Sequence, residues 1–400
     1  MHIEPAAHTR HDVVIVGARV AGAATAMLLA RSGLDVVVLD RSPLPSDTTS
    51  THSLVRGGVV QLSRWGLLED VLDSGAPAIR SVSFRQYGES APAPVSYQVK
   101  ERAGVDLMLA PRRLVLDDIL TTSARRAGAT VLDRTTVTDL VRNASGRVTG
   151  VLAHTAQGRE LRLDATVVIG ADGLRSGLAR KVGARVLEQH APSGACLYAY
   201  VGDVAWDGFD FHIADGAFAG VFPTHGGEAA VWLMLPAASA NGVLRAGDRK
   251  VDAWLAELEV RVPVLGTTVR SGAVRSPLRG TVGLPNHVLQ PHGPGWALVG
   301  DAGFHRDPIT GHGITDAFRD ADLLATAVVR ALASPQDERA AYDGYRRERD
   351  SAIVETFRIT RELGAFPPIA RFVELQMELS RALDEEARLL AARPTFVPVA

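Results

Sequence analysis

One cysteine, Cys196, stands in the whole chain. That excludes a disulfide framework and any multi-cysteine metal site, and no metal site is expected. The apolar run around Cys196 marks a buried, inert thiol rather than a nucleophile. Lysine is almost as scarce, with Lys100, Lys181 and Lys250 the only ones, so the basic charge rests on arginine. The formal net charge is −2 and no block of like charge is long, which leaves no electrostatic footprint for nucleic acid. No stretch approaches the roughly 18 apolar residues of a membrane span. The N-terminal MHIEPAAHTRH lacks the apolar centre of a secretory signal. A soluble cytoplasmic protein is expected, and 400 residues suffice for two or three domains with large cores.

What the chain does have begins at Val13–Gly22, VVIVGARVAG. The β-branched run reads as a buried parallel strand ending in a glycine turn. Ala23–Arg31, rich in Ala, Leu and Met, reads as a helix, and Val36–Leu39 as a second strand closed by Asp40. This βαβ layout binds a dinucleotide: the turn brings backbone close to a pyrophosphate, and the helix N-terminus supplies N–H groups and a positive dipole end. The acidic residue about 20 positions on is placed to accept from a ribose. Gly17 and Gly22 keep their places in G-x-G-x-x-G, but Arg19 stands at the middle glycine, where a guanidinium narrows the approach or itself binds phosphate.

Further along, Leu114–Ala127 reads as a helix. Thr130–Val141 and Arg147–Thr155 read as strands joined by Ala144-Ser145-Gly146. Ala165–Ile169 runs into GADG (Gly170–Gly173), and Trp296–Val299 runs into Gly300-Asp301. Each delivers an aspartate at the carboxyl edge of a buried strand, where open α/β sheets bind ligands. Residues 195–235 alternate aromatic, small and polar residues and read as an antiparallel sheet with one apolar face. Ser81–Gln98 is a candidate to pair with it. After Gly313 the spacing of Ile314, Ala317, Ala321, Leu324 and Val328 is helical, and helices continue to about Ala392 with a break at Pro367-Pro368.

The ordered set Val13–Gly22, Val38–Arg41, Gly170–Ser176 (GADGLRS) and Gly300–Gly313 (GDAGFHRDPITGHG) resembles the class A flavoprotein monooxygenases. This para-hydroxybenzoate hydroxylase-like family shares its FAD fold with geranylgeranyl reductases and flavin-dependent halogenases. The resemblance implies an α/β fold: a Rossmann-like FAD-binding domain of discontinuous segments (11–80, 101–185 and 290–335), an antiparallel substrate sheet (81–100 and 186–289) and C-terminal helices (336–400). By resemblance Asp301 holds the ribityl chain, and the N–H groups of His312, Gly313 and Ile314, after Gly311, face the flavin pyrimidine edge. Asp172 lies near the pyrophosphate. Arg56 and Arg113 contact FAD phosphates and the crevice, Val137 meets the adenine, and Arg41, next to Asp40, is a further cofactor-binding residue.

The resemblance also implies a reaction. Transient NAD(P)H reduces FAD, and dioxygen then supplies an oxygen atom to an apolar, aromatic or polycyclic small molecule, hydroxylating or epoxidising it. Tyr200, Phe211, Phe222 and Trp232, roofed by Pro308, are the expected dry pocket that excludes water. His52, His305 and His312 are the candidates for steering a proton. Reduction of a prenyl-type or other alkene is the alternative, although Gly220 in FAGVFP stands where the reductases carry an indole. Halogenation is disfavoured by the absence of W-x-W-x-I-P, and a non-catalytic flavin-binding partner or sensor by the intact third motif.

Overall fold

The computed structural model describes residues 7–192 and 194–394; the last residues of the expected C-terminal helical segment, 395–400, lie outside them. Strand β1 (Ala7–Val16) leads through helix α1 (Val20–Arg31) to β2 (Val36–Leu39), and α2 (Arg56–Arg64) follows. Val13, Val14 and Ile15 are fully buried, as expected for a parallel strand covered on both faces. Next come β3 (Ser81–Gln86), β4 (Val95–Gln98), α3 (Arg113–Arg126), β5 (Thr130–Leu132) and the hairpin β6 (Thr135–Arg142) and β7 (Val148–Thr155). Strand β8 (Glu160–Gly170) then runs beside β1, and a short helix α4 (Gly177–Val182) follows.

The second half supplies β9 (Gly194–Gly202), β10 (Phe209–Ala214), β11 (Ala217–Pro223) and β12 (Ala229–Pro236), then helices α5 (Lys250–Arg261) and α6 (Pro263–Ser271). Strand β13 (Trp296–Leu298) returns to the first sheet, and α7 (Gly313–Ala333), α8 (Glu338–Gly364) and α9 (Ile369–Ala392) follow. The first sheet has the central order β13–β8–β1–β2–β5, all parallel, with the β6–β7 hairpin joined to β8. Helices α1, α3 and α7 pack together on it. This is the Rossmann-like α/β layer that the sequence implies.

The second sheet runs β9–β12–β11–β10–β3–β4, antiparallel except where β10 lies parallel to β3. Its side chains alternate. Leu197, Ala199 and Val201 of β9 face a cluster closed by Trp254, Leu258 and Leu265 of α5 and α6. Cys196, Tyr198 and Tyr200 face the opposite way, with the aromatic residues. Sequence reading anticipates one apolar face; both are covered, because α8 and α9 lie over the aromatic one. Among the described residues no helix is long and apolar enough to cross a membrane.

Candidate active site

Three chain segments meet at the glycine turn. Gly17 has φ 105, and a Cβ there would lie 2.4 Å from the Ala171 carbonyl oxygen; a Cβ on Gly22 would lie 1.8 Å from that of Gly17. Only glycine lets the end of β1, the start of α1 and the exit of β8 touch in this way. Arg19, by contrast, caps α1 with φ −83, a conformation any residue adopts, so its backbone does not call for glycine. Its Nη2 donates to Ser46 Oγ at 3.3 Å and to the Asp47 carbonyl at 3.2 Å, which ties the loop after β2 to the turn.

A cavity of about 1080 Å³ opens along the carboxyl ends of the parallel strands. Gly17, Arg19, Asp40, Arg41, Arg113 and Val137 line it, as do Asp172 and Asp301. Pro308, Gly311, His312, Gly313 and Ile314 belong to the same wall. Strand tips far apart in sequence therefore share one groove, which is above the usual size for a single small ligand and suits a dinucleotide with room beside it.

The aspartates are engaged locally. Asp40 accepts the Ala18 N–H through Oδ2 and the Ser42 N–H through Oδ1, each at 2.8 Å, so it shapes the turn with lone pairs left for a ribose. Asp172 caps α4, taking Gly177 N–H at 2.7 Å, Leu178 N–H at 3.1 Å and the Ser176 hydroxyl at 2.5 Å. Arg113 holds Asp117 with Nε at 3.0 Å and Nη2 at 3.1 Å while facing the cavity. Asp301 opens onto the cavity and is wetted there, with protein on its other sides. That enclosure raises its carboxyl above the ordinary value, against the pull of His305 and Arg113.

Gly311, at φ 61, turns the chain into α7, and His312 is the N-cap residue. The N–H groups of the first turn lack partners within the helix and give the wall a positive end. Behind them the side chains form an ionic network. His312 Nε2 donates to Glu386 of α9 at 2.5 Å, and Arg319 holds Glu386 at 3.0 Å, Asp316 at 2.6 Å and Asp320 at 2.8 Å. Arg306 Nε donates to Asp316 at 2.8 Å. Burial alone would raise Glu386; His312, Arg319 and Arg306 outweigh it and hold the carboxyl at about 2. The ligand atoms of His312, Asp316 and Glu386 lie within 4.8 Å of one another, but two guanidinium groups already neutralise the carboxylates. His312 is thus bound into the interior rather than free beside the cavity. His305, buried on the cavity wall, has Nδ1 2.6 Å from the Pro285 carbonyl.

Two expectations are corrected. Arg56 does not reach the cavity; its guanidinium turns to Asp384 of α9 at 3.2 Å and to the carbonyls of Lys100 and Val105 at 2.9 Å. The aromatic set is not an open pocket either. Phe211, Phe222 and Trp232 pack with Phe218, and Phe218 meets Phe372 of α9 at 5.0 Å between ring centres. Ile359, Leu363, Leu375 and Leu379 complete that core, so none of those aromatic residues, nor Tyr200, lines the cavity. Pro308 does line it, facing Cys196, Tyr198, Thr281 and Leu284, which the sequence reading did not select. The period of two along β9 was the available signal for Cys196 and Tyr198. Where an indole was missing at Gly220, Trp232 fills the space from the next strand: a Cβ on Gly220 would lie 2.5 Å from its Cζ2.

The groove fits FAD. Its glycine turn admits a pyrophosphate, Asp40 and Val137 flank one part, and a helix N-terminus flanks another, beside Arg306 with its buried unpartnered Nη1. The family model described as an FAD binding domain matches residues 10–247, and the chain belongs to that family, as an FAD-dependent oxidoreductase of the class A flavoprotein group. It is 27% identical over 383 residues to a menaquinone reductase of Mycolicibacterium smegmatis, covering 92% of this chain and 87% of the relative. It is 28% identical to a digeranylgeranylglycerophospholipid reductase of Methanopyrus kandleri, over 89% and 90% of the two chains. Its fold matches that of pqsL, a probable FAD-dependent monooxygenase from Pseudomonas aeruginosa, with TM-score 0.77, 21% identity and 92% and 100% coverage.

Proposed function

We propose that the protein is a cytoplasmic, NAD(P)H-dependent monooxygenase of a compact, apolar, aromatic or polycyclic molecule. One observation supports this reading: α8 and α9 seal the aromatic face of the second sheet, which leaves for a substrate the part of the cavity lined by Pro308, Cys196, Tyr198, Thr281 and Leu284. A compact ring system suits that space better than a long chain. The chemistry supplied by a bound FAD is hydride uptake from NAD(P)H and delivery of one atom of dioxygen to the substrate, the other leaving as water. The protein's part is binding, orientation and dryness. The first-turn N–H groups of α7 favour negative charge on a ligand, worth roughly 0.3–1 kcal/mol and more when buried. Tyr198 and Leu284 hold the substrate against Pro308 and keep water out.

A second reading, reduction of a quinone or an isoprenoid double bond, draws on the two reductases matched over about nine tenths of their length. Oxygen consumption separates the two. The FAD-loaded protein with NADPH and an aromatic panel should consume oxygen in step with product. Fast anaerobic reoxidation by an isoprenoid quinone, with only slow reaction with oxygen, would give the reductase reading precedence.

A further inference from the structure

A second cavity, of about 420 Å³, opens where α1 hands over to β2 and where α7 ends. None of its lining residues belongs to the cofactor cavity, although α7 serves both. Gly313 and Ile314 of its first turn line the one, and Leu332 and Ala333 of its last turn line the other. A helix of 21 residues sets them about 30 Å apart. The volume lies within the range that holds a compact small molecule.

Its wall is rich in acceptors that the protein leaves unmatched. The chain leaves α7 through Ser334 and Pro335, and proline has no N–H to return to the Ala331 carbonyl. Among the described residues nothing donates to the carbonyls of Leu332 and Ala333 either. These groups form the negative end of the α7 dipole. Asp12 accepts the Asp35 N–H through Oδ2 at 3.0 Å and leaves Oδ1 unpaired.

Tyr342 of α8 adds a fixed polar atom. Its ring stacks on His292, 5.7 Å between centres. The residue is 3% exposed and its hydroxyl bonds to no neighbour, yet that oxygen is not sealed as the indole nitrogen of Trp254 is. The little surface that Tyr342 keeps therefore includes the hydroxyl, on the cavity it lines. Burial and the Glu338 carboxylate push the phenol up, so it stays uncharged. Arg147, the cation on this wall, is already engaged: it grips Glu338 at 2.7 and 2.8 Å and the Thr166 carbonyl at 3.3 Å. With that pair neutral, the charge of Asp12 is left uncompensated.

We propose that this cavity is a second ligand site and that it takes a compact organic ammonium ion. The ammonium N–H groups donate to Asp12, to the Tyr342 oxygen and to the carbonyl end of α7, while the apolar body lies on Leu34, Val329 and Pro335. An anion of the same shape is repelled by Asp12 and the helix end, and an alcohol brings one donor where a primary ammonium brings three.

The test uses the full chain loaded with FAD and three probes that share one body: 2-phenylethylammonium, 2-phenylethanol and phenylacetate. Calorimetric titration reports binding. The ammonium should bind about tenfold more tightly than the alcohol, the scale of a hydrogen bond to a charged group, and phenylacetate should not bind. The oxidised flavin spectrum should stay unchanged, because the site is a helix length from the cofactor. Asp12→Asn keeps an acceptor for Asp35 and should weaken ammonium binding about tenfold, and Tyr342→Phe about fivefold. Both should leave FAD affinity and the unfolding curve at the parent's values. Leu332→Trp, which fills the cavity from α7, should abolish binding. Equal affinity for ammonium and alcohol overturns the proposal, as does binding of phenylacetate. Full affinity in any of the three variants overturns it, and so does a failure to saturate by about 10 mM ammonium. A shifted flavin spectrum also overturns it, marking a ligand in the first cavity.

Discussion

His312 Nε2 donates to Glu386 Oε2 at 2.5 Å, joining the residue that opens α7 to the last turns of α9. The helix end that forms one wall of the cavity is therefore held from behind by the C-terminal helix, and Arg319 braces the same carboxylate at 3.0 Å.

Glu386 makes stability depend on acid. Its folded value of about 2 lies below the ordinary 4.5, so its contribution is complete above about 4.5 and disappears as the pH falls through about 2. Glu386→Gln should lose about 3 kcal/mol at neutral pH and show a flatter decline of stability over that acid range. Denaturant unfolding at a series of pH values checks it. A variant that tracks the parent curve would show that the network does not depend on this charge.

Arg56→Ala should leave FAD affinity unchanged, because the guanidinium is engaged with Asp384 and two carbonyls instead of the cavity. It should cost about 1–3 kcal/mol of stability through the partners left behind. Flavin titration of the variant, beside its unfolding curve, separates the two effects. A tenfold loss of FAD affinity would return Arg56 to the cofactor.

The parts of the site legible in the sequence are those in which a short segment carries its own geometric requirement. Gly17 at φ 105 and Gly22, each against backbone, follow from a strand turning into a helix within a few residues. The aspartates after β8 and β13 follow from buried strands ending at a common edge. What stayed hidden depends on distant partners. Phe211, Phe222 and Trp232 announce an apolar face, yet nothing in that pattern states that Phe372 and Leu375 will cover it. Arg56 and Asp384 are separated by 328 positions, and a charge pair at that distance has no local signature. His52 reads as one of three candidates for steering a proton; its left-handed backbone and its pairing with Tyr200 exist only once β9 is in place.

Gly220 should tolerate no side chain. A Cβ would lie 2.5 Å from Trp232 Cζ2 and 2.6 Å from the Asp210 carbonyl, and the carbonyl belongs to a paired strand that cannot easily yield. Gly220→Ala should destabilise the protein by about 1–3 kcal/mol, the scale of overpacking a close-packed core. Flavin binding by the folded fraction should persist, since the cavity lies elsewhere. Unchanged unfolding would mean that the indole has room to move.

Asp301 offers the sharpest reading of the cofactor site. Its carboxyl faces the cavity, whereas those of Asp40 and Asp172 are already engaged with backbone N–H groups. If it receives a ribityl hydroxyl, Asp301→Ala removes a hydrogen bond to a charged acceptor, worth about 1.5–3 kcal/mol, and FAD should bind roughly 10- to 100-fold more weakly. Asp301→Asn keeps an acceptor oxygen without the charge and should lose less. Titrating apoprotein with FAD by flavin fluorescence gives both numbers under one set of conditions. Full affinity in Asp301→Ala would place the ribityl contact on another residue. Equal losses in the two variants would show that charge, not the acceptor oxygen, is what the cofactor requires at this position.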